Sequence, residues 1–448
     1  MEDKNIGMAR RIAAAVREAG GRTYYVGGCV RDRLLGREIK DIDIEVHGIP
    51  VPTLEAVLDR LGERLTKGES FGVMGLRHYD LDIAMPRSEK ATGRGHRDFE
   101  VFVDPFLGEE KAARRRDFTM NALMQDVLTG EVLDFFGGQA DMARGRIRHV
   151  DDRTFAEDPL RVFRAAQFAA RFGYVVAPET TALCASMAVD ALPGERVMGE
   201  LEKALRKADR PSVFFETLRR MDQLSVWFPE LAERIGLSQP AGGDAWGCTM
   251  RVLDEAAKRR GEVSEPLWFL LAALCCDPDG TAEADGGAAG LPRVRTFLGR
   301  LTREGRLTRY VQNLTALCAE PDRLVRRGAD PSVYMALFDR CVCPADLLLL
   351  AQAVRVGRPG TDPEAAAETE RTLRGMLAVY TERMSRPYVQ GRDLVEVGLT
   401  PGPRFGEALD CAHRLRLAGA PKDEQLRAAL ALIRQAGREA GPDQKDET

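Results

Sequence analysis

The stretch GGCVRDRLLGREIKDIDIEV, residues 27–46, decides the fold of the first part of the chain. Two glycines lead into a short helix pattern that ends at Gly36, and an alternating strand pattern follows from Asp41. The apolar residues 24–26 predict a further strand before the glycines. The order strand, turn, helix, strand is typical of an α/β sheet with helical cover. Strand patterns at 71–76 and 79–84 extend it to a small mixed sheet.

Two carboxylates mark one face of this strand pattern. Asp41 and Asp43 lie two residues apart, so both project from the same face, while the isoleucines that follow each of them project from the other. Neighbouring carboxylates repel each other unless a cation lies between them, and Mg²⁺ prefers such oxygen ligands. A two-metal site needs a third carboxylate from an adjacent strand. Asp82 fits that position, and Asp80 is the alternative; a merely polar strand face is the competing interpretation.

The glycine turn suggests a phosphate site beside these carboxylates. Gly27 and Gly28 precede a helix start, where backbone N–H groups favour phosphate, and Arg31 lies in the turn just beyond them. A triphosphate next to Mg²⁺ is consistent with both features.

Composition sets outer limits on the class of protein. The 448 residues exceed one compact core and predict several domains. No apolar run approaches 18 residues and the N-terminus lacks an apolar signal core, so we expect no membrane span and a cytoplasmic protein. Nine cysteines without a CxxC pair, and five histidines, argue against a disulfide scaffold or zinc finger and for reduced thiols.

Charge and periodicity change along the chain. The net charge of -4 argues against bulk attraction to nucleic acid, but the stretch 293–309 carries six arginines and one glutamate and predicts contact with a polyanion; a solvated helix face is the alternative. From about residue 155 the periodicity becomes helical. Stretches rich in Gly, Pro, Ala and acidic residues at 277–292 and 357–368 predict loops.

Five motifs in order resemble those of class II tRNA nucleotidyltransferases, the bacterial CCA-adding enzymes. They are GGCVRDRLLG at 27–36, KDIDIEV at 40–46, RRRDFTMNAL at 114–123, EDPLRVFRAAQFAARF at 157–172 and ERVMGELEKAL at 195–205. A looser similarity extends to GRDLVEVGLTPGPRFGEAL at 391–409. The resemblance implies a nucleotidyltransferase head (1–145) with an α/β fold, followed by an all-α neck (146–235), body (236–385) and tail (386–448).

The resemblance also implies a role for each matching residue. Asp41, Asp43 and Asp82 match the ligands of two Mg²⁺ ions, and the remaining matches bind the nucleotide: Gly27, Gly28, Arg31, Arg115, Arg116, Asp117, Asn121, Asp158, Arg161 and Arg164. Asp158 and Arg161 match the pair that reads the base. On a helix these positions share a face, so Asp158 can accept from an exocyclic amine while Arg161 donates to a ring acceptor, a pattern that cytosine and adenine share. An ordinary Asp to Arg helix pair is the alternative interpretation.

The implied activity is template-independent addition of CCA to tRNA from CTP and ATP. The 3′ end and acceptor and T arms of tRNA would be gripped through phosphates. The arginines that we expect to contribute are Arg293, Arg295, Arg300, Arg303, Arg306 and Arg309. The sequence leaves open an A-adding enzyme, a poly(A) polymerase, a non-catalytic RNA-binding protein, and the oligomeric state.

Two stretches bear on these alternatives. Poly(A) polymerases carry a basic GRRF-type segment after the paired carboxylates, and here KGESFGVMGL (67–76) stands in its place. The segment 86–102 resembles the flexible loop of A-adding and CCA-adding members, which CC-adding members lack. The first stretch favours tRNA end-building over poly(A) addition, and the second argues against CC-only addition.

The body departs from the family pattern. Longer members carry a metal-dependent HD phosphohydrolase domain, but Cys248 and Cys276 stand where its histidines would, and of that ligand set only Asp277 is present. Cysteine is a poor ligand for Mg²⁺ or Mn²⁺. We therefore expect a degenerate HD domain retained as a helical scaffold; a zinc site formed by these residues with Cys275 is the alternative.

Overall fold

The computed structural model describes residues 4–39, 41–67, 73–91, 99–239, 242–276 and 291–439. The chain divides into two compact units, residues 1–229 and 230–448. The first combines a seven-stranded sheet with helices, and the described part of the second is helical. The fold class predicted from the sequence is thereby confirmed, while the finer division into head, neck, body and tail stays a prediction.

The sheet of the first unit is mixed. Its strand order is β3-β4-β5-β2-β1-β8-β9, and β2 and β5 run parallel while the other neighbours are antiparallel. Small pairs form between β6 and β7 and between β10 and β11. The strands are β1 Arg22–Val26, β2 Ile42–His47, β3 Arg64–Lys67, β4 Val73–Leu76, β5 Leu81–Ala84, β6 Arg87–Ala91, β7 Phe99–Val103, β8 Met124–Asp126, β9 Val132–Leu133, β10 Arg146–Ile147 and β11 Val175–Val176.

Helices cover this sheet and continue beyond it. Helix α1 buries Ile12 and Val16 and packs on β1 and β2, and α7 ends at Gly173, whose φ of 68° is left-handed. The helices are α1 Lys4–Glu18, α2 Gly28–Leu34, α3 Val51–Leu61, α4 Glu109–Arg114, α5 Gly138–Ala143, α6 Asp152–Ala156, α7 Leu160–Phe172, α8 Pro178–Ala185, α9 Gly194–Lys207, α10 Ser212–Arg220, α11 Leu224–Trp227 and α12 Pro229–Ala232.

The second unit is built around apolar helices. Helix α14 is almost entirely buried and packs against α13, α16 and α19. None of the described helices is both long and apolar enough to cross a membrane. The helices are α13 Ala245–Ala257, α14 Pro266–Cys275, α15 Leu291–Leu301, α16 Gly305–Leu317, α17 Glu320–Arg326, α18 Pro331–Asp339, α19 Pro344–Gly357, α20 Pro363–Ser385, α21 Gly391–Glu396, α22 Pro403–Ala418 and α23 Lys422–Glu439.

The loop predictions had mixed outcomes. The loop expected over 357–368 is wrong in its second half, because α20 begins at Pro363 with the Asp362 side chain accepting from the Glu364 amide. Proline at the first helical position and an acidic N-cap are both helix-start signals. The loop expected over 277–292 falls almost wholly outside the described residues, as do parts of 67–76 and 86–102.

Candidate active site

The paired strands β2 and β5 bring two of the predicted carboxylates side by side. Their parallel register sets Asp43 opposite Asp82, so both side chains leave the sheet on the same face. Asp41 directly precedes β2 and is exposed. Asp80 lies before β5 begins, and its amide donates to Asn5 Oδ1 at 3.1 Å. The register therefore favours Asp82 over Asp80 as the neighbour of Asp43.

This carboxylate pair suits a hard cation. Asp43 and Asp82 are both half-buried, and each offers oxygen ligands. Within the described part of the chain, no three acidic, histidine or cysteine side chains already form a group that could hold a metal ion. Mg²⁺ is commonly bound by one or two carboxylates together with substrate phosphates and water. The pair fits that mode of binding.

The glycine turn lies beneath an arginine. Gly27 has a φ of 69°, a left-handed conformation that glycine tolerates best. A Cβ atom at this position would lie 3.0 Å from Nη1 of Arg116, so the guanidinium packs directly over the turn. Nη2 of Arg116 is 3.3 Å from Oε2 of Glu45, two residues after Asp43 on β2. The structure thus brings the RRRD motif to the turn and the carboxylate strand.

A buried polar chain joins α2 to α7. Arg31 donates to Asn121 Oδ1 at 2.6 Å, and Asn121 donates to Asp117 Oδ1 at 2.9 Å. Asp117 in turn accepts from Arg164 Nη2 at 2.6 Å. Burial acts to raise the pKa of Asp117, but the charge of Arg164 and the Asn121 hydrogen bond hold it below its usual value. Four predicted nucleotide-binding residues therefore form one connected network.

Within that network Arg31 is less exposed than the sequence suggested. Its guanidinium is buried, bonds Asp32 Oδ1 at 2.8 Å and stacks over the rings of Phe168 and Phe172. Its Nη2 lies 3.5 Å from the point where a Cβ on Gly28 would stand. Arg31 therefore braces the glycine turn from inside the protein.

The predicted base-reading residues lie together but do not pair with each other. Arg161 donates to the carbonyl oxygens of Thr154 (2.6 Å) and Arg115 (2.9 Å). Asp158 accepts from Arg196 Nη2 at 3.1 Å and from the Leu160 amide. The expectation that both residues share a helix face is wrong in detail, because α7 begins at Leu160 and Asp158 precedes Pro159.

Sequence reasoning missed three side chains at this site. Glu45 and His47 continue the polar face of β2, and Arg196 on α9 binds Asp158. The polar residue at every second position from 41 to 47 was a visible signal for the first two. No local pattern links Arg196 to Asp158, which lies 38 residues earlier.

The predicted nucleotide-binding residue Arg115 is held in place by a hydrogen bond. Its Nη1 donates to the Arg87 carbonyl oxygen at 2.6 Å.

The body segment buries the cysteines that stand in place of the family's histidines. Cys248 and Cys276 are buried, and all nine cysteines are free thiols, as predicted. Burial and a hydrogen bond with Cys318 raise the pKa of the Cys276 thiol. Arg234 Nη1 donates to Thr249 Oγ1 at 2.7 Å and to the Cys276 carbonyl at 2.8 Å. Asp277 lies outside the described residues, so the zinc alternative stays untested.

The arginine-rich stretch forms two helices, α15 and α16. Arg293 pairs with Glu233 at 3.1 Å, and Arg300 pairs with Glu230. The other four side chains are exposed: Arg295, Arg303, Arg306 and Arg309. Arg293 is exposed as well, but its guanidinium is already paired with Glu233, so the other four are the better candidates for contact with a polyanion.

Comparison with known proteins agrees with this arrangement. Residues 23–148 match the family model of the poly A polymerase head domain. A multifunctional CCA protein of Pseudomonas aeruginosa is 35% identical over 90% of this chain and 98% of its own length, and one of Ralstonia nicotianae is 36% identical over 79% and 86%. One of Nitrosococcus oceani is 45% identical over about half of each chain (48% and 52%).

Solved structures give the same fold. A Thermotoga maritima CCA-adding enzyme complexed with tRNA has a TM-score of 0.65 at 21% identity and covers 97% of this chain and 96% of its own. A Bacillus stearothermophilus CCA-adding enzyme in complex with CTP has a TM-score of 0.67 at 22% identity, covering 98% and 100%. The fold is therefore that of nucleotidyltransferases that add CCA.

The relatives define the family more closely. This chain belongs to the family of multifunctional CCA proteins. The activity predicted from the sequence, that of a tRNA nucleotidyltransferase of the CCA-adding type, is thereby confirmed.

Proposed function

We propose that this chain completes the 3′ end of tRNA in the cytoplasm by adding C, C and A from CTP and ATP without a template. The register of Asp43 and Asp82, beside a glycine turn covered by Arg116, is the observation that supports this most directly. Asp41, Asp43 and Asp82 would hold two Mg²⁺ ions, since carboxylate oxygens are the ligands that Mg²⁺ prefers. When bound, Mg²⁺ supplies activation of the hydroxyl and neutralisation of phosphate charge.

The triphosphate lies over the glycine turn in this proposal. Arg116 offers N–H donors there, and the absence of a side chain at Gly27 lets the guanidinium approach the turn. The RNA 3′-hydroxyl oxygen attacks the α-phosphorus, the bond to the β-phosphate oxygen breaks, and pyrophosphate leaves. Asp117 and Asn121 hold the ribose, and their place in the buried network fixes their orientation.

Base selection falls to Asp158 and Arg161. A carboxylate that accepts from an amine, beside a guanidinium that donates to a ring nitrogen or carbonyl, suits cytosine and adenine. Guanine and uracil present the donor and acceptor in the reverse order. Because the protein reads the base, no template strand is needed.

The tRNA is gripped by shape and phosphates. The acceptor and T arms are A-form helices whose deep, narrow major groove side chains cannot read, so we expect contacts to the backbone. The exposed arginines of α15 and α16 are the proposed contributors.

Extension of defined tRNA transcripts tests the proposal. Transcripts that end before CCA, after CC and after CCA are incubated with Mg²⁺ and CTP, ATP or both, and the products are resolved at single-nucleotide resolution. We expect ordered growth by C, C and A, followed by arrest. Addition of A only to the CC-ended transcript would make the chain an A-adding enzyme, and long adenosine tails a poly(A) polymerase. Binding of tRNA without extension would make it a non-catalytic RNA-binding protein.

A further inference from the structure

We propose that Glu45 is a positioning residue for the nucleotide triphosphate, which it serves by holding the guanidinium of Arg116 over the Gly27 turn. The inference rests on the proposed function, since that function assigns Arg116 to the nucleotide. The Glu45 carboxylate bonds Arg116 through one oxygen and His47 through the other, so we place its effect on the triphosphate in its contact with Arg116.

The geometry divides the Arg116 guanidinium between two tasks. Nη2 is 3.3 Å from Oε2 of Glu45, and Nη1 lies over Gly27. Glu45 is buried, whereas the Arg116 side chain keeps 26% of its surface exposed. One nitrogen is therefore anchored to a fixed strand while the other remains available at the turn. A guanidinium can do this because its donors are held in one plane.

Glu45 is itself held firmly. His47 Nε2 lies 2.8 Å from its Oε1, so both carboxylate oxygens have a partner. The His47 ring meets Tyr24 edge to face at 5.4 Å, and Tyr24 donates from its hydroxyl to Glu109 at 2.9 Å. A series of contacts thus runs from α4 through β1 and β2 to Arg116. An anchor held in this way restricts the arginine to a single orientation.

The benefit is pre-organisation. An arginine loses rotamer freedom when it binds phosphate, and a side chain that is ordered beforehand has less to lose on binding. Burial of a carboxylate is costly, and a partly exposed arginine does not need a buried partner for its own solvation. The position of the carboxylate is therefore better explained by what it does to Arg116 than by stability alone.

The test combines Glu45→Gln, Arg116→Ala and the double variant. KM and kcat are measured for CTP with a transcript that ends before CCA, and for ATP with a CC-ended transcript. We expect Glu45→Gln to raise both KM values by about two- to tenfold, with kcat changed by less than about twofold. The effect should be equal for the two nucleotides, because they share the triphosphate. In the Arg116→Ala background, Glu45→Gln should have no further effect.

Glu110→Gln is the matched control. Glu110 is an exposed partner of Arg114, the neighbouring arginine of the same run, at 2.7 Å. Its loss should leave both KM values unchanged. Arg116→Lys gives a second route if Glu45→Gln folds poorly in a thermal melt. Lysine keeps the charge but cannot bridge Glu45 and the turn, so its KM should approach that of Arg116→Ala.

The outcomes distinguish the positioning role of Glu45 from the nucleotide-binding role of Arg116 in the proposed function. An unchanged or lower KM in Glu45→Gln, with a raised KM in Arg116→Ala, would overturn the positioning role and leave the proposed function intact. A lower KM would mean that the carboxylate mainly repels the triphosphate. Equal effects of Glu45→Gln with and without Arg116, or a wild-type KM in Arg116→Lys, would also overturn it. If Arg116→Ala itself leaves KM unchanged, the assignment of Arg116 to the nucleotide is wrong.

Discussion

The strand pair β2 and β5 and the body segment around Cys276 differ in how their charged and polar groups are arranged. At the strands, Asp43 and Asp82 are set side by side on one face, where a cation bound between them would relieve their mutual repulsion. In the body, the polar atoms are already satisfied by a cation of the protein, because Arg234 donates to Thr249 and to the Cys276 carbonyl. The strand pair thus gathers like charges that suit an added cation, whereas the polar atoms around Cys276 are bonded to an arginine of the chain itself.

The largest effect is expected when one carboxylate of the strand pair is removed. Asp82→Asn should lower kcat for nucleotide addition about a thousandfold, because several kcal/mol of transition-state stabilisation are at stake and each 1.4 kcal/mol or so is a factor of ten. Asp80→Asn, two residues away and before β5, should change kcat by less than about twofold. Single-turnover extension of a transcript measures both. Equal losses in the two variants would contradict the assignment that the strand register favours.

A second test removes the buried ion pair between Asp117 and Arg164. Asp117→Asn should lower the free energy of unfolding by about 3 kcal/mol at pH 7, since a buried pair that loses one partner leaves a charge uncompensated. The pKa of Asp117 lies below its usual value in the folded protein, so its contribution is full above about pH 4 and is lost as the pH falls through the folded pKa.

Denaturant unfolding of the wild type and Asp117→Asn at pH 7 and at several values below pH 4 tests this. The difference between the two proteins should shrink as the pH falls. Asp330→Asn gives the comparison for an exposed N-cap in the body: hydrogen bonds with Ser332 also lower the pKa of Asp330, so its difference should shrink in the same direction but be smaller. A difference for Asp117→Asn that does not vary with pH would mean that the pKa of Asp117 is the same in the folded and unfolded states.

A third test removes the arginine that bonds the polar atoms around Cys276 in the body. Arg234→Leu should lower the free energy of unfolding by about 1–3 kcal/mol, because the Thr249 hydroxyl and the Cys276 carbonyl lose their donor. Metal analysis of the purified chain should find no zinc, and a chelator should not change the melting temperature. Stoichiometric zinc, together with a chelator-induced loss of stability, would instead support the zinc alternative at the cysteines.

The smallest expected effect concerns the arginines of α15 and α16. Arg303→Ala should weaken tRNA binding a few-fold and reduce the slope of log K against log salt by about 0.7 to 0.9. Arg293→Ala should do less, because its guanidinium is paired with Glu233. Filter binding at several KCl concentrations compares them. If neither variant changes the slope, this face is only solvated.

The sequence predicted the first unit well where a pattern was local. Alternation along DIDIEV identified β2, and the glycine pair identified the turn. The choice between Asp82 and Asp80 depended on where β5 begins. The strand pattern over 79–84 contains both residues, and a pattern does not fix the first residue of a strand. The Glu45 to Arg116 contact spans 71 residues, so no spacing rule could find it.

Local rules also failed where two of them competed. The i, i+3 rule placed Asp158 and Arg161 on one helix face, yet the residue before a proline is disfavoured in the helical region, and Pro159 follows Asp158. Asp362 and Pro363 carried a readable helix-start signal inside a stretch whose composition suggested a loop. In both cases the position of a proline carried more information than composition or spacing.

The hydrogen bonds of Arg161 and Asp158 give base recognition a particular character. Arg161 already donates to two backbone carbonyls, and Asp158 already accepts from Arg196. On the proposed roles, a matching base only replaces hydrogen bonds that these two residues already make within the protein, so it adds little affinity of its own. A base with the reverse pattern displaces those bonds without replacing them and leaves half-buried donors without an acceptor. Fidelity then arises by exclusion of the wrong base, and affinity for every nucleotide comes mainly from its triphosphate.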